Sequence, residues 1–431
     1  MKKIIFQLLF FAGIALCAAE YEIKIDSTSK TGRVKAGEKV QVKAAVFCDG
    51  KPISAGYMLR VYQWKDGTKN RFLNVPAEKG HTVKLSLEKP GWSYVSFQLF
   101  DSNKKPLSLK RGKRNVRVVG TGIILDPEKL TPVRPEPKDF DAFWNANKAE
   151  LAKTPLKVIM KKEVPSPKSH IFYDVRLTCA GPKPVSGYLT VPRNSKGRKY
   201  PVVLVVDGAG VRDSGKSHYG NAVTFSINAH GIPNGQPKKF YDDLAKGALK
   251  GYTAFGRENR NTIYFRYMFI RVLRALEYVK TLPEWNGKDI IVRGSSQGGA
   301  QTLFAAAMDK DVTLAVPTVP AMCDFAGCLS KPTRMSGWPR PYDASAKNAK
   351  RRAEWDYYDC VNFARRITCP VYVSTGLIDA TCSPTSVYTM FNQLKAKEKK
   401  IEFHRNMGHE GRNDIGQKAF MDYLARVSKK K

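Results

Sequence analysis

Gly294-Ser295-Ser296-Gln297-Gly298 sets a serine between two glycines in the pattern G-x-S-x-G. A serine hydroxyl is a poor nucleophile at its own pKa and needs a base, which in turn needs an orienting acid. The pattern alone is common by chance, so its place in the chain carries the weight. A strand-like run over 289–293 leads into it, and a helical pattern over 298–308 leaves it. At a strand-to-helix turn, small flanking residues let the chain bend sharply and lift the Ser296 hydroxyl above a sheet. The backbone N–H of Gln297, at the helix start, then points where an oxyanion would form.

The partners should follow in the order serine, acid, histidine. Asp379 ends Thr375-Gly-Leu-Ile-Asp379 after a strand-like run at 371–375, and His409 lies in Asn406-Met-Gly-His-Glu410 after a run at 400–404. Both fall beyond the carboxyl ends of strands, where α/β sheets collect functional groups. Ser296, Asp379 and His409 are therefore the expected triad. Gln297 is the expected first oxyanion donor. The loop Asp207-Gly-Ala-Gly210 follows another strand, and Ala209 is the second candidate donor. Four rivals are set aside. His404 sits within its strand, Asp324 follows a strand one too early, His230 reads as structural, and Glu410 should bond locally beside the base.

These residues need a frame that brings three loops together. From residue 139 onward, strands alternate with helices, which implies an α/β-hydrolase-type, doubly wound and mostly parallel sheet over 139–431. Pro201-Val-Val-Leu-Val-Val206 is apolar throughout, as a strand buried on both faces must be. Asp139 is the expected N-cap of the first helix, with Phe140, Phe143 and Trp144 on its core face. Ahead of it, residues 20–118 hold short alternating runs punctuated by Asp49-Gly50, Asp66-Gly67 and Pro90-Gly91, the pattern of a small Ig-like β-sandwich. His81 reads as a surface residue in a turn. Residues 119–138, with prolines at 127, 132, 135 and 137, read as a stiff linker.

Residues 1–19 begin Met-Lys-Lys, continue with an apolar run and end Cys17-Ala18-Ala19. That is the layout of a secretory signal peptide, too short to span a membrane. The expected location is periplasmic or secreted, without a stable membrane anchor. Seven cysteines follow the expected cleavage point, with no CxxC pair and no zinc-like spacing. Buried thiols with at most one disulfide are expected.

The chain of 431 residues carries 73 Lys plus Arg against 38 Asp plus Glu, a formal +35. At 42% hydrophobic and 11% aromatic it is no disordered polymer. The excess is spread evenly: 23 basic against 12 acidic residues over 20–136, and 48 against 26 over 137–431. No basic tail or concentrated patch marks a nucleic-acid face. Two readings of the charge stand: a solvated cationic surface suited to the protein's compartment, and attraction to a sulfated or uronate-bearing glycan, which should weaken as salt rises.

Several longer stretches resemble the acetyl xylan esterase and cephalosporin-C deacetylase family of α/β-hydrolases. They include Asp139-Phe-Asp-Ala-Phe-Trp144, Arg271-Val-Leu-Arg-Ala-Leu-Glu277, Gly294-Ser-Ser-Gln-Gly-Gly299, Cys323-Asp-Phe325, Tyr358-Asp-Cys-Val-Asn-Phe-Ala-Arg-Arg366 and Gly408-His-Glu410. The resemblance implies a serine esterase that removes acetyl groups from sugar hydroxyls, needing neither metal nor organic cofactor. It also implies that the chain can form homo-oligomers. The family's His-Gly-Tyr in the oxyanion loop is replaced by Asp207-Gly208-Ala209, which should widen the acyl pocket or leave room for a bulky sugar. A carboxylate there is unfavourable unless it is turned away or neutralised. The family's Arg-Gly-Gln is also missing, and Ala229-His230-Gly231 stands in its place. Two other readings fit parts of the pattern: a prolyl-oligopeptidase-like serine peptidase, and a catalytically inactive glycan-binding protein.

Overall fold

The computed structural model describes residues 19–193 and 197–429. The segment expected to be a signal peptide lies, but for Ala19, outside them.

The N-terminal unit is two packed sheets. Its strands are β1 (Tyr21–Ser27), β2 (Val40–Cys48), β3 (Lys51–Pro52), β4 (Met58–Lys65), β5 (Arg71–Pro76), β6 (His81–Leu85), β7 (Gly91–Phe100), β8 (Leu109–Arg111), β9 (Arg114–Val116) and β10 (Val119–Leu125). One sheet runs β3-β2-β1-β8-β9 with β6 beside β2, and the other runs β10-β7-β4-β5. Alternation drives the pairing. Val40, Val42, Ala44 and Val46 of β2 are buried against Leu59 and Val61 of β4 and Val95, Phe97 and Leu99 of β7, while intervening residues turn outward.

Two expectations are corrected here. Val119–Leu125, assigned to the linker, is the last strand of the sandwich and pairs antiparallel with β7 over its full length. His81 is the first residue of a strand, opposite Ala44, not part of a turn.

The second unit begins with α1 (Phe140–Ala152), then β11 (Val158–Val164), β12 (His170–Leu177), β13 (Val185–Pro192), β14 (Tyr200–Val206) and β15 (Val223–Ile227). Next come α2 (Lys238–Lys246), α3 (Phe265–Lys280), β16 (Trp285–Ser295), α4 (Gln297–Met308) and β17 (Val312–Thr318). The chain ends with α5 (Ala349–Trp355), α6 (Cys360–Ala364), β18 (Val371–Gly376), α7 (Pro384–Phe391), β19 (Lys399–His404) and α8 (Asp414–Lys429). The nine-stranded sheet has the order β11-β12-β13-β15-β14-β16-β17-β18-β19. It is parallel from β15 to β19 and antiparallel at the β11-β12-β13 edge.

The central strand shows why its sequence is apolar throughout. Val202, Leu204 and Val206 face the large core under α3 and α4, while Val203 faces a smaller core closed by Phe420 and Leu424 of α8. Asp139 precedes α1 without capping it. Its carboxylate accepts from Tyr357 Oη and from Arg260 Nη1, the latter at 3.2 Å, so those contacts take the place of the expected cap.

The sandwich rests on the loops that follow β18 and β19. The Trp92 indole N–H donates to Leu377 O at 2.7 Å, and the Gly122 N–H donates to Arg405 O at 2.9 Å. A Cβ on Gly122 would lie 2.2 Å from Leu377 O, so only glycine lets β10 come this close. Trp92 is fully buried. Trp92→Ala empties that space and orphans the Leu377 carbonyl, and should cost about 3–5 kcal/mol. A urea midpoint within error of wild type would contradict this packing.

Candidate active site

Ser296 sits between the end of β16 and the start of α4 with φ 59° and ψ −121°, a conformation that non-glycine residues rarely hold. Three backbone bonds fix it. Its N–H donates to Thr318 O at 2.9 Å, and its carbonyl accepts from Ala300 N at 3.1 Å and Ala321 N at 3.0 Å. The flanking glycines answer to the carboxyl end of β14: a Cβ on Gly298 would lie 2.3 Å from Val206 O, and one on Gly294 2.6 Å from the same atom. The G-x-S-x-G spacing is therefore a packing requirement of this turn.

Asp379 and His409 are brought together from the loops after β18 and β19. His409 Nδ1 lies 2.8 Å from Asp379 Oδ2, and Asp379 Oδ1 accepts from the N–H groups of Thr381 and Cys382 at 2.8 and 2.9 Å. Asp379 is 1% exposed, and its acceptors are all directed at donors. Donation from Nδ1 to the carboxylate leaves Nε2 as the ring's acceptor. The histidine loop passes the serine turn, for a Cβ on Gly411 would stand 3.6 Å from Ser295 Oγ. Burial holds the Cys382 thiol well above its ordinary pKa.

Gln297 opens α4, so its N–H is among the unpaired donors of the first turn. Its side chain is fully buried, with Oε1 accepting from Tyr252 Oη at 2.7 Å and Nε2 unpartnered among the described residues. In the facing loop, Arg212 Nη1 donates to Ala209 O at 2.7 Å. Gly208 comes close to the serine turn, for a Cβ on it would lie 4.0 Å from Ser296 Cβ. Burial pushes the Asp207 carboxyl up to about 6, while Arg212 and the Ser214 hydroxyl pull it back down. The carboxylate's charge is thus offset beside the site.

His230 holds this loop from below. Its Nε2 lies 3.1 Å from Gly210 O, a pure acceptor, so Nε2 carries the proton and donates. Nδ1 then accepts from Tyr264 Oη at 2.7 Å. Burial pushes the imidazole down to about 4, which keeps it neutral. Tyr252 packs edge-on against the same ring at 4.7 Å and links it to Gln297. Arg212, Tyr252 and Tyr264 carried no signal in the sequence, because no local motif marks them.

The rivals fall elsewhere. Asp324 is buried and paired with Arg334 at 2.8 Å. Glu410 pairs not locally but with Arg111 of the sandwich. His404 lies 3.5 Å from Glu402, and with Asp414 they bring three potential ligand atoms within 4.8 Å of one another. Asp414 is already paired with Arg412. The seven described cysteines are all free thiols, so the expected limit of one disulfide stands at none among them.

A serine at positive φ in a strand-to-helix turn of a mostly parallel sheet, with an Asp–His pair beyond later strand ends, fits the α/β-hydrolase class. Within that class the profile of the acetyl xylan esterase (AXE1) family matches residues 126–427, and the chain belongs to that family. The acetyl esterase Axe7A of Xylanibacter ruminicola is 31% identical over 426 residues, covering 93% of this chain and 92% of that protein. An acetyl xylan esterase from a Paenibacillus species is 25% identical with a TM-score of 0.56, covering 70% of this chain and 98% of its own. An acetyl xylan esterase from a Thermoanaerobacterium species shares the fold at 22% identity and a TM-score of 0.57, covering 69% of this chain and 97% of its own. Both structural matches span a length close to that of the hydrolase unit alone. The chain is thus a carbohydrate-esterase family hydrolase.

The neutral His230 gives a pH signature. An unfolded imidazole titrates near 6.5, and the folded one near 4. Between those values only the unfolded chain takes up the proton, so this ring's contribution is intact above pH 6.5 and is lost as pH falls toward 4. His230→Gln keeps an N–H for Gly210 O without titrating. Relative to it, wild type should lose up to about 3 kcal/mol across that window in urea unfolding at stepped pH. Parallel curves for the two proteins would rule out a buried neutral ring.

Proposed function

We propose that this chain is an exported serine esterase that removes acetyl or similar short acyl groups from the hydroxyls of a polysaccharide or oligosaccharide. The observation that carries the reading is the 2.8 Å His409–Asp379 pair, on a loop that passes the turn where Ser296 is held at positive φ. In the first step His409 Nε2 accepts the Ser296 proton as Oγ bonds to the ester carbonyl carbon. The negative charge on the carbonyl oxygen is met by the N–H groups of Gln297 and Ala209. Asp379 holds the imidazole in the needed tautomer and stabilises its cation. The carbon–oxygen bond to the sugar then breaks, and His409 returns the proton to the leaving hydroxyl. In the second step His409 takes a proton from water, whose oxygen attacks the acyl-enzyme, and Ser296 is regenerated as the carboxylic acid departs.

Membership of the acetyl xylan esterase family favours this bond over a peptide bond, and the sandwich in front has no propeller repeat of the kind a gated peptidase uses. The tidy acid–base pair weighs against an inactive glycan-binding protein. The Lys- and Arg-rich surface supports an anionic glycan as partner. A cleft of about 720 Å³ beside the histidine loop is lined by Arg111 and Arg114 of the sandwich and Arg293 and Arg412 of the hydrolase, against Glu410 and Asp414.

Ser296→Ala should lower acetate release from an acetylated xylan by at least about 10⁴-fold and abolish labelling by a fluorophosphonate. Wild-type turnover in that variant would end the serine assignment. Raising the salt from 0.05 to 0.5 M should raise KM for an acetylated uronate-bearing glycan several-fold and leave an acetylated neutral one nearly unchanged. Equal responses would remove the case for an anionic partner.

A further inference from the structure

The face of the β10-β7-β4-β5 sheet turned away from the sandwich core carries a row of aromatic rings. Along β4, Leu59 and Val61 enter the core, so Arg60, Tyr62 and Trp64 alternate to the opposite face. The register continues this across the sheet: Tyr62 lies opposite Phe72 on β5, and Trp64 opposite Tyr94 on β7. Trp92 stacks on Tyr94 at 4.9 Å between centroids, and Tyr94 meets Tyr62 at 5.7 Å. Exposure rises along the row. Trp92 and Tyr94 are buried, Tyr62 is partly buried, and Phe72 is 68% exposed.

The buried end of the row is tied to the catalytic loops. Trp92 donates to Leu377 O, two residues before Asp379. Arg340 is exposed and donates to the Ala380 carbonyl, one residue beyond Asp379. The row therefore starts beside the loop that carries Asp379 and ends in solvent.

A phenylalanine exposed on an edge strand gains nothing for the fold and leaves apolar surface in water. Polar groups flank it on the same face, for Arg60 Nε donates to Asn74 Oδ1 at 3.1 Å and the guanidinium lies over Phe100 at 4.3 Å. Flat rings beside fixed hydrogen-bonding groups match a pyranose, which offers an apolar C–H face and a rim of hydroxyls. A protein partner would need a broad apolar patch, and this strip is one ring wide.

We propose that Tyr62 and Phe72, backed by Tyr94, form the outer part of a glycan-binding cleft, where pyranose rings of an extended chain stack while its acyl group is presented to Ser296. The proposal rests on the carbohydrate-esterase reading above. It gives the sandwich a part in choosing polymeric over small substrates.

The test uses the full chain with Phe72→Ala and Phe72→Trp, both at an exposed position where the fold is not at stake, and Tyr62→Ala checked for its melting temperature. Phe72→Ala should raise KM for an acetylated xylohexaose about fivefold with kcat unchanged, and Phe72→Trp should restore it. Kinetics on 4-nitrophenyl acetate, too small to reach the row, should not change in either. Wild-type KM on the hexaose in Phe72→Ala would overturn the proposal, as would an equal loss on the small ester. Failure of wild type to release acetate from any acetylated saccharide, with the small ester still cleaved, would instead overturn the carbohydrate reading on which it stands.

Discussion

The carbonyl of Val206 is the constraint from which the site is built. It ends β14 so close to the following element that neither Gly294 nor Gly298 can carry a side chain. With both glycines pressed against it, the residue between them has one way to turn, and Ser296 takes a positive φ that its own side chain resists. The strain is held by the surrounding sheet through the bonds to Thr318, Ala300 and Ala321. The same closeness sets the start of α4 beside the loop after β14, for a Cβ on Gly298 would lie 3.1 Å from the Asp207 carbonyl oxygen. Loosening that contact would cost the turn.

What reaches that space from the other strands is set by polar satisfaction. Asp379 could not be buried as an anion without donors, and two backbone N–H groups and the His409 ring supply them. The loop 207–210 has a separate support. His230 must stay neutral to donate through Nε2 and accept through Nδ1, and in a chain with a formal +35 a further proton beside Arg271 and Arg212 would be costly. Burial therefore does useful electrical as well as mechanical work at this position.

Much of this was legible because it is local. The turn at Ser296, the apolar strand at 201–206 and the placement of Asp379 and His409 after strands all depend on a few consecutive residues. The nine-stranded order and the antiparallel edge were not legible, since β11 (Val158–Val164) is mostly exposed and carries little of the alternation that marks a half-buried strand. Residues 119–125 were hidden for another reason. Gly120 and Gly122 make the run look like loop, yet the glycines are there because β10 passes against β7 on one side and Leu377 on the other. Arg212, Tyr252 and Tyr264 meet His230 and the serine helix only through the fold, so no spacing announces them.

The sandwich also takes its meaning from contact. Read alone it is a small accessory domain with no catalytic residue, and nothing in its composition contradicts that. Its place in the structure is less neutral. Trp92 grips the loop that carries Asp379, Gly122 and Arg111 hold the loop that carries His409, and the sheet that holds Trp92 and Gly122 exposes Phe72 at its far edge. The loops that carry Asp379 and His409 therefore each have a wall made by another domain. A domain fixed there by a fully buried tryptophan is poorly suited to swinging freely as a tether. It is suited to shaping a cleft, and Arg111 and Arg114 of the sandwich do line one together with Arg293 and Arg412 of the hydrolase unit, which gives that surface a basic character.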